Sequence, residues 1–397
     1  MNLKAYDSTW SQQEAMRAAA KRWHRRGLLS AAQRQAIEAA YPLNFYRPGL
    51  FLRLVLFIFA GVSAFGAAGL LVLILDSGYF RVLAFLCAIG SLALLEVLLR
   101  SSRLYHAGVD NALLYSFLGW TSALLADIIM AQDFIPLDDR YDGSLVNPYM
   151  ALVLIPVLVL FVVAAIRYAD RLVAAAAYLT ALLLIINLLS QVSYGRLLLP
   201  FVLMLASVGA YQLVRHLTRR PDYLYYKPCL TLLQALTLAT FYLGGSYYVV
   251  REGNAALNGE HVSGQIAFAP IFYLFTAFIP LVYIANALRR PDRVWLLTGL
   301  LAAAFSLFTL LYYRAVLPPE LAAVLAGAVL LGWAAWATRY LRPARHGFTS
   351  LPDDEQSPHF NLEALVVAET AAALQAPTPG FGFGGGHSGD GGADGSY

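Results

Sequence analysis

Residues 54–75 have the sequence "LVLFIFAGVSAFGAAGLLVLIL", a run without a single ionisable side chain. A helix needs about 20 apolar residues to cross the hydrocarbon core of a bilayer. The run is apolar on every side rather than along one stripe, which is typical of a membrane span and not of an amphipathic surface helix. Because nine further runs of this kind follow it, this stretch decides the fold class.

The composition agrees with a membrane protein. Hydrophobic residues make up 59% of the 397-residue chain and charged residues 13%, which is about half the charged share of a soluble domain. The predicted fold is an all-α polytopic membrane bundle of about ten transmembrane helices. These spans are 54–75, 80–99, 109–130, 147–166, 172–190, 197–214, 229–250, 266–287, 294–313 and 320–341. The polar start of the chain lacks the apolar core of a cleavable signal peptide, so we expect the first span to be retained.

Lys and Arg are distributed unevenly between the two sides of this bundle. The connections after spans 1, 3, 5, 7 and 9 hold five of the 28 basic residues: Arg81, Arg140, Arg196, Arg251 and Arg314. The rest lie on the other side or at the helix ends next to it. Short loops rich in Lys and Arg stay in the cytoplasm. We therefore expect a multi-pass protein of the cell inner (plasma) membrane with both termini in the cytoplasm.

The sequence "RRPD" occurs twice, at 219–222 and 289–292, each time between two predicted spans. Arginine suits a helix C-terminus, proline cannot continue the helix, and aspartate can cap the next one. We interpret each copy as a tight cytoplasmic turn, with Asp222 and Asp292 as caps, rather than as a trace of duplication or a ligand site.

The first 48 residues are predicted to form a cytoplasmic basic helical hairpin. Its signals are two capping boxes, a glycine between the helices and a proline after them: Ser11 with Glu14, Ser30 with Gln33, Gly27 and Pro42. The 49–342 region is the predicted transmembrane bundle. The 343–397 region is a predicted cytoplasmic tail that is Gly-rich and disordered from about 377.

Basic residues dominate the first helix of the hairpin and are predicted to contact the anionic inner leaflet: Arg17, Lys21, Arg22, Arg25 and Arg26. A protein partner for the hairpin is the alternative. We expect no nucleic-acid partner, because two short helices are too small for a DNA-reading domain.

Polar residues within the spans are scarce. Ionisable groups in a membrane are costly and usually mark function, and prolines can mark broken helices that line transport sites. The weak candidates for an intramembrane polar site are Asp127, Glu96, Asp110, Gln234 and Pro280. Asp127 would serve a substrate or ion, or else lie at an interfacial helix end or in an ion pair. Glu96 and Asp110 would form a carboxylate pair, or else be solvated helix ends.

Catalytic and metal-binding patterns were not found in the sequence. No Ser/His, His/Glu or paired-Asp constellation shares a membrane depth, so we expect neither an enzyme nor a cofactor. Cys87 and Cys229 lack metal-type spacing and are expected to pack as small apolar groups. The loop "DDRYDG" at 138–143 has Arg140 where a calcium loop needs an acid or amide. We therefore predict no metal site.

"RWHRRGLLSAAQRQAIEAAY" at 22–41, followed by a basic spacer and a glycine-rich first span, resembles a large group of bacterial polytopic membrane proteins of unknown function. The resemblance covers about the first fifty residues. The residues that carry it are Gly27, Leu28, Leu29, Ser30, Gln33 and Ile37. It implies an inner-membrane protein and adds no catalytic residue.

Two functions remain open from the sequence. The first is transport of a neutral or lipid-like small molecule, because ten spans and several proline-containing helices are typical of permeases. The second is a non-transporting sensor or scaffold that recruits partners through its hairpin and tail. The surroundings of Asp127 and Pro280 discriminate between them, since a permease requires a polar cavity there.

Overall fold

A computed structural model describes residues 4–75, 77–140, 147–259, 263–290, 292–313 and 319–340. In these ranges the chain is helical and contains no strand. The helices are α1 (Ser8–Arg25), α2 (Ala31–Ala40), α3 (Leu50–Leu75), α4 (Phe80–Ser102), α5 (Val109–Met130), α6 (Leu137–Arg140), α7 (Met150–Tyr168), α8 (Arg171–Ser190), α9 (Gly195–Leu217), α10 (Tyr223–Gly245), α11 (Tyr247–Asn258), α12 (Ala269–Arg289), α13 (Arg293–Tyr313) and α14 (Pro319–Tyr340). The predicted tail from 343 onwards lies outside the described residues.

Nine helices in the described ranges are long and apolar enough to cross a membrane: α3, α4, α5, α7, α8, α9, α10, α12 and α13. They coincide with the first nine predicted spans, and α14 occupies the tenth. Large apolar side chains cover their outer surface; Leu50, Phe51 and Leu73 of α3 are each more than 80% exposed. A soluble protein rarely exposes so large an apolar surface.

Helices that are consecutive in sequence pack as antiparallel pairs, α4 with α5, α7 with α8, α9 with α10 and α12 with α13. Helix α10 also contacts α1, α8, α12 and α13, so it lies at the centre of the bundle. One buried cluster includes Leu95, Leu114 and Tyr225, at the end where α1 packs. We call this end, which includes the α4–α5 and α7–α8 connections, the α1 end.

The bounds of the seventh span differ from the prediction. The sequence predicted 229–250, whereas α10 begins at Tyr223, continues through Pro228 and ends at Gly245. A proline near the start of a helix removes one hydrogen bond, which membrane helices tolerate. The chain becomes extended at Ser246 and then enters α11. Hydropathy alone placed the span too far along the chain, because residues 247–250 are also apolar.

The predicted hairpin helices are present, with one error at the start. Asp7 caps α1 by accepting from the Thr9 amide at 2.9 Å. The capping box of Ser11 is therefore wrong: Ser11 lies inside the helix and its hydroxyl donates to the Ser8 carbonyl. The box of Ser30 with Gln33 is confirmed, with bonds of 3.2 and 2.8 Å.

The two RRPD turns also differ from each other. Asp292 caps α13 as predicted, accepting from the Val294 amide at 2.9 Å. Asp222 stands before α10 but makes no capping hydrogen bond. Its carboxylate instead forms an ion pair of 2.9 Å with Lys4. Asp222 therefore makes a tertiary contact with Lys4 instead of a capping bond with α10.

Candidate functional site

The α1 end contains a buried hydrogen bond between Tyr6 and Asp110. Asp110 lies in the first turn of α5 and is 1% exposed. Its Oδ2 accepts from the Tyr6 hydroxyl at 2.7 Å, and its Oδ1 accepts from the Gly108 amide at 3.0 Å. A buried carboxylate is costly without such donors. Burial, together with the negative charge of Asp110, raises the pKa of Tyr6 well above its ordinary value.

The α4–α5 connection that precedes Asp110 is tightly built around a glycine. Gly108 has φ +105°, a conformation that other residues rarely adopt. A Cβ at this position would lie 2.3 Å from the Arg53 carbonyl oxygen of α3. Only glycine therefore lets the connection approach α3 closely and hold the Asp110 backbone in place.

A second buried carboxylate, Asp170, joins α5 to α8. It caps α8 by accepting from the amides of Leu172 and Val173 at 2.9 and 3.0 Å. From α5 it accepts hydrogen bonds from the side-chain amide of Asn111 at 2.5 Å and from the Tyr115 hydroxyl at 2.9 Å. An aspartate directly before an apolar run is a capping signal, but its bonds to α5 had no local signal.

Residues 4–48, which we call the N-terminal segment, are tied to the bundle by further bonds. The Ala5 amide donates to the Arg167 carbonyl at 2.8 Å, and the Tyr225 hydroxyl donates to the same oxygen at 3.0 Å. Later in the segment, Tyr46 pairs with the α4–α5 connection. Its amide donates to the Arg103 carbonyl at 3.0 Å, and its carbonyl accepts from the Tyr105 amide at 3.1 Å. Both ends of the segment are therefore attached.

Aromatic rings fill the space between the N-terminal segment and the α4–α5 connection. The ring of Tyr105 contacts those of Tyr6, Trp10 and Phe45 at centroid distances of 5.3, 5.9 and 5.0 Å. The His106 ring lies 4.9 Å from Tyr6. Such pairs contribute roughly 0.5–1.5 kcal/mol each beyond their buried area. The segment therefore packs as part of the fold.

Burial also changes the protonation of the connection. It raises the pKa of Tyr105 to about 12. It lowers the pKa of His106 to about 4, because the apolar surroundings disfavour the imidazolium. The negative charge of Asp170 opposes this shift, while Arg53, Arg47 and Arg171 add to it. The interior of the α1 end thus holds a neutral histidine at physiological pH.

Glu96 and Asp110 have separate partners, so the hypothesis of a carboxylate pair is wrong, and the alternative of solvated helix ends is wrong for the buried Asp110. Glu96 Oε1 accepts from the Arg167 guanidinium at 2.7 Å and from the Tyr168 hydroxyl at 2.7 Å. These bonds join α4 to α7 at the α1 end, whereas Asp110 bonds to Tyr6. Each carboxylate holds two elements together.

The remaining polar candidates also make structural contacts. Asp127 lies at the opposite end of the bundle, where it forms an ion pair of 2.6 Å with Arg81 of α4. Its side chain is 37% exposed, and the ion pair is one of the predicted alternatives. The side-chain amide of Gln234 donates to the Asp292 carboxylate at 2.9 Å and joins α10 to the turn before α13. Neither residue lines either of the two recesses described below.

Pro280 is buried within α12 and has a structural consequence. Because proline lacks an amide hydrogen, it leaves the Thr276 carbonyl without its helical partner. The Ser306 hydroxyl of α13 donates to that oxygen at 2.7 Å. The proline thus creates an acceptor for a bond between helices, as membrane proteins require of any freed carbonyl.

The basic residues of α1 fall into two sets. Arg17 pairs with Glu38 of α2 at 3.6 Å. Arg22 is half-buried, as Arg17 is, whereas Lys21, Arg25 and the C-cap residue Arg26 are exposed. The opposite face of α1 includes Met16, Ala19 and Ala20, which are buried. Helix α1 is thus wedged between α2 and α10, with part of its basic face left open.

Two recesses lie at the α1 end of the bundle. One, of about 40 Å³, lies between α1 and the α9–α10 turn. The other, of about 280 Å³, is lined by the end of α9. Neither is lined by Asp127 or Pro280. Within the described ranges no group of three or more His, Cys, Asp or Glu side chains could hold a metal ion.

Comparisons with protein-family models, curated protein sequences and solved structures found no match. The resemblance of the first fifty residues to bacterial polytopic proteins therefore stays a prediction. The function has to be inferred from the contacts at the α1 end and from the polar residues of the bundle.

Proposed function

We propose that this chain is a ten-span protein of a bacterial inner membrane, with both termini in the cytoplasm, and that it acts as a non-transporting scaffold. The bundle would hold the N-terminal hairpin at the membrane surface for a protein partner. The nine apolar helices and the uneven distribution of Lys and Arg support the membrane assignment and this orientation.

The attachment of the N-terminal segment carries the proposal. The bundle uses its most buried carboxylate, Asp110, to bind Tyr6 of that segment. Backbone bonds at Ala5 and Tyr46 and the Lys4–Asp222 ion pair reinforce the attachment. A flexible leader would not need buried polar partners. The contacts support a segment whose position relative to the membrane matters for function.

Helix α2 is the element best suited to meet a partner. It has no buried residue and packs on α1 rather than on the bundle. Leu28, in the turn before it, is 67% exposed. The hairpin is therefore anchored to the bundle through α1, and α2 and the turn before it would contact the partner. The exposed Lys21 and Arg25 would meet anionic headgroups beside it.

Transport of a neutral or lipid-like molecule has less support. Asp127 is paired with Arg81, Gln234 with Asp292, and the carbonyl freed by Pro280 with Ser306. These are the polar groups on which a transport site would depend, and each has a structural partner. The observations favour the scaffold.

Site-specific photo-crosslinking in cells tests the proposal. A photoreactive residue at the exposed Gln35 of α2 should give a discrete adduct with one protein. The same residue at the exposed Ser101 of α4 is the matched control and should give none. An absence of adducts from Gln35, or the same adducts from both positions, would contradict a recruiting role for α2.

A further inference from the structure

The C-terminal end of α9 forms a basic recess that the contacts above do not use. It has a volume of about 280 Å³ and is lined by Gln212, Arg215, His216 and Arg219. Residues at these spacings lie on one face of a helix. Gln212, Arg215 and His216 lie on α9, and Arg219 lies in the turn after it, at the α1 end of the bundle.

The cationic side chains of this recess are available to a ligand. Arg215, His216 and Arg219 are exposed, and no ion pair joins any of them to an acidic residue within the described ranges. The acidic residue that follows in sequence, Asp222, is paired with Lys4. Two arginines without acidic partners attract an anion, and a guanidinium matches a phosphate with two parallel hydrogen bonds.

The same helix face becomes apolar toward the middle of the bundle. Leu205 is 72% exposed and Val208 is 40% exposed. Leu205 precedes Gln212 by seven residues, about 10 Å along the helix axis. On the other side of α9, Ser207 and Val214 are buried. The exposed face thus combines an apolar stripe with a basic end, in the order in which a phospholipid presents its acyl chain and its headgroup.

We propose that this face of α9 binds one anionic phospholipid of the inner leaflet. Arg215, His216 and Arg219 would hold the phosphate and the negative headgroup, and Leu205 and Val208 would contact an acyl chain. The charge complementarity commits the recess to an anionic rather than a zwitterionic lipid. The inference depends on the proposed membrane insertion and orientation. It does not depend on the scaffold role of the N-terminal segment.

Titration of the detergent-purified full chain with short-chain phosphatidylglycerol tests the site, with short-chain phosphatidylcholine as the neutral arm. We expect saturable binding of phosphatidylglycerol alone. The variant R215Q/R219Q should bind it about thirtyfold more weakly, since each basic residue near an anionic surface contributes about 1 kcal/mol. R215K/R219K keeps the charge but loses the paired hydrogen bonds of the guanidinium, so its affinity should lie between those of R215Q/R219Q and the wild type.

Arg100 provides the matched control. It lies at the same end of the bundle on α4, and its side chain is 83% exposed. R100Q removes one exposed arginine without touching the recess and should leave binding unchanged. Equal binding by R215Q/R219Q and the wild type would overturn the proposal, as would equal binding of the two lipids. Displacement of the lipid by an equal concentration of inorganic phosphate would also overturn it and assign the recess to the free ion.

Discussion

The Tyr6 hydroxyl donates a 2.7 Å hydrogen bond to Oδ2 of Asp110, and this bond joins residues 104 positions apart in the chain. Tyr6 is 5% exposed and Asp110 is 1% exposed. The bond fastens the N-terminal segment to the first turn of α5. It makes the first residues of the chain part of the bundle, which is the property on which the scaffold proposal rests.

Removing the Tyr6 hydroxyl should loosen the N-terminal segment. Y6F leaves Asp110 without its side-chain donor, and an unsatisfied buried group costs about 1–3 kcal/mol. We expect faster amide exchange throughout residues 4–48, measured by hydrogen exchange and mass spectrometry. Y46F is the matched control, since Tyr46 is attached through its backbone and the residue is 46% exposed. Equal exchange in both variants would contradict a special role for the Tyr6–Asp110 bond.

Attachment of the N-terminal segment should depend on pH through His106. Its pKa in the folded chain is about 4, below the ordinary value of 6.5. The packed form thus requires the neutral imidazole, whereas a detached segment lets it protonate. Attachment is therefore strongest above pH 6.5 and weakens as the pH falls from 6.5 through about 4.

Limited proteolysis of the full chain across this pH range measures the effect. The variant H106N keeps a residue that tolerates the left-handed backbone at this position, where φ is +47°. It should lose the part of the pH dependence that lies between pH 6.5 and about 4. An unchanged profile in H106N would exclude His106 as the source.

The contact between α4 and α7 should depend on Glu96. E96Q removes the negative charge of the carboxylate that accepts hydrogen bonds from the Arg167 guanidinium and the Tyr168 hydroxyl. This pair is partly exposed, so we expect a loss of about 1–2 kcal/mol, between the values of exposed and buried pairs. The melting temperature of the purified chain measures it. R100Q serves as the control, because Arg100 lies 3.9 Å from Glu96 and is largely exposed; a similar loss there would argue against the Arg167 bond.

Ser306 should matter because Pro280 is present. S306A removes the donor to the Thr276 carbonyl that the proline leaves free. Side-chain bonds between membrane helices contribute about 0.6 kcal/mol on average, and up to about 1.7. We expect destabilisation of this order in thermal unfolding. S122A is the matched control, because the buried Ser122 hydroxyl makes no hydrogen bond in the described residues. A neutral S306A would show that the freed carbonyl needs no protein donor.

Reporter fusions test the proposed orientation. Fusions after residues 30, 103, 169 and 222 should report the cytoplasm, and those after 137 and 257 the outside. The physical basis is the retention of Lys- and Arg-rich loops in the cytoplasm. A cytoplasmic signal at both 137 and 257 would contradict the ten-span arrangement. The signal from a fusion after residue 350 tests the tenth span by itself.

The helices of the bundle could be predicted from the sequence because each apolar run contains its own signal. Length and hydropathy are local properties, and nine predicted spans coincide with nine long apolar helices. Hydrogen bonds between residues close in sequence could be predicted equally well. The capping box of Ser30 with Gln33 and the cap by Asp292 involve residues two or three positions apart. They form in the structure as the pattern indicates.

Where two local solutions compete, the pattern was less informative. Asp7 and Ser11 both suit the start of a helix, and the capping-box pattern favoured Ser11. The structure starts α1 earlier, at Ser8. Starting there lets Tyr6 reach Asp110 and Ala5 reach the Arg167 carbonyl. Packing of the N-terminal segment against the bundle therefore decides where α1 begins.

By itself, the sequence determined which stretches form the long apolar helices and, at Ser30 and Asp292, which residue caps a helix. These follow from hydropathy and from hydrogen bonds within a few residues. Only the tertiary structure decided which polar side chains meet. Asp110 bonds to Tyr6, Asp170 to Asn111, and Asp222 to Lys4 rather than to its own helix. A buried charge takes whichever donors the packing of the helices brings to it, and those donors lie tens of residues away in the chain.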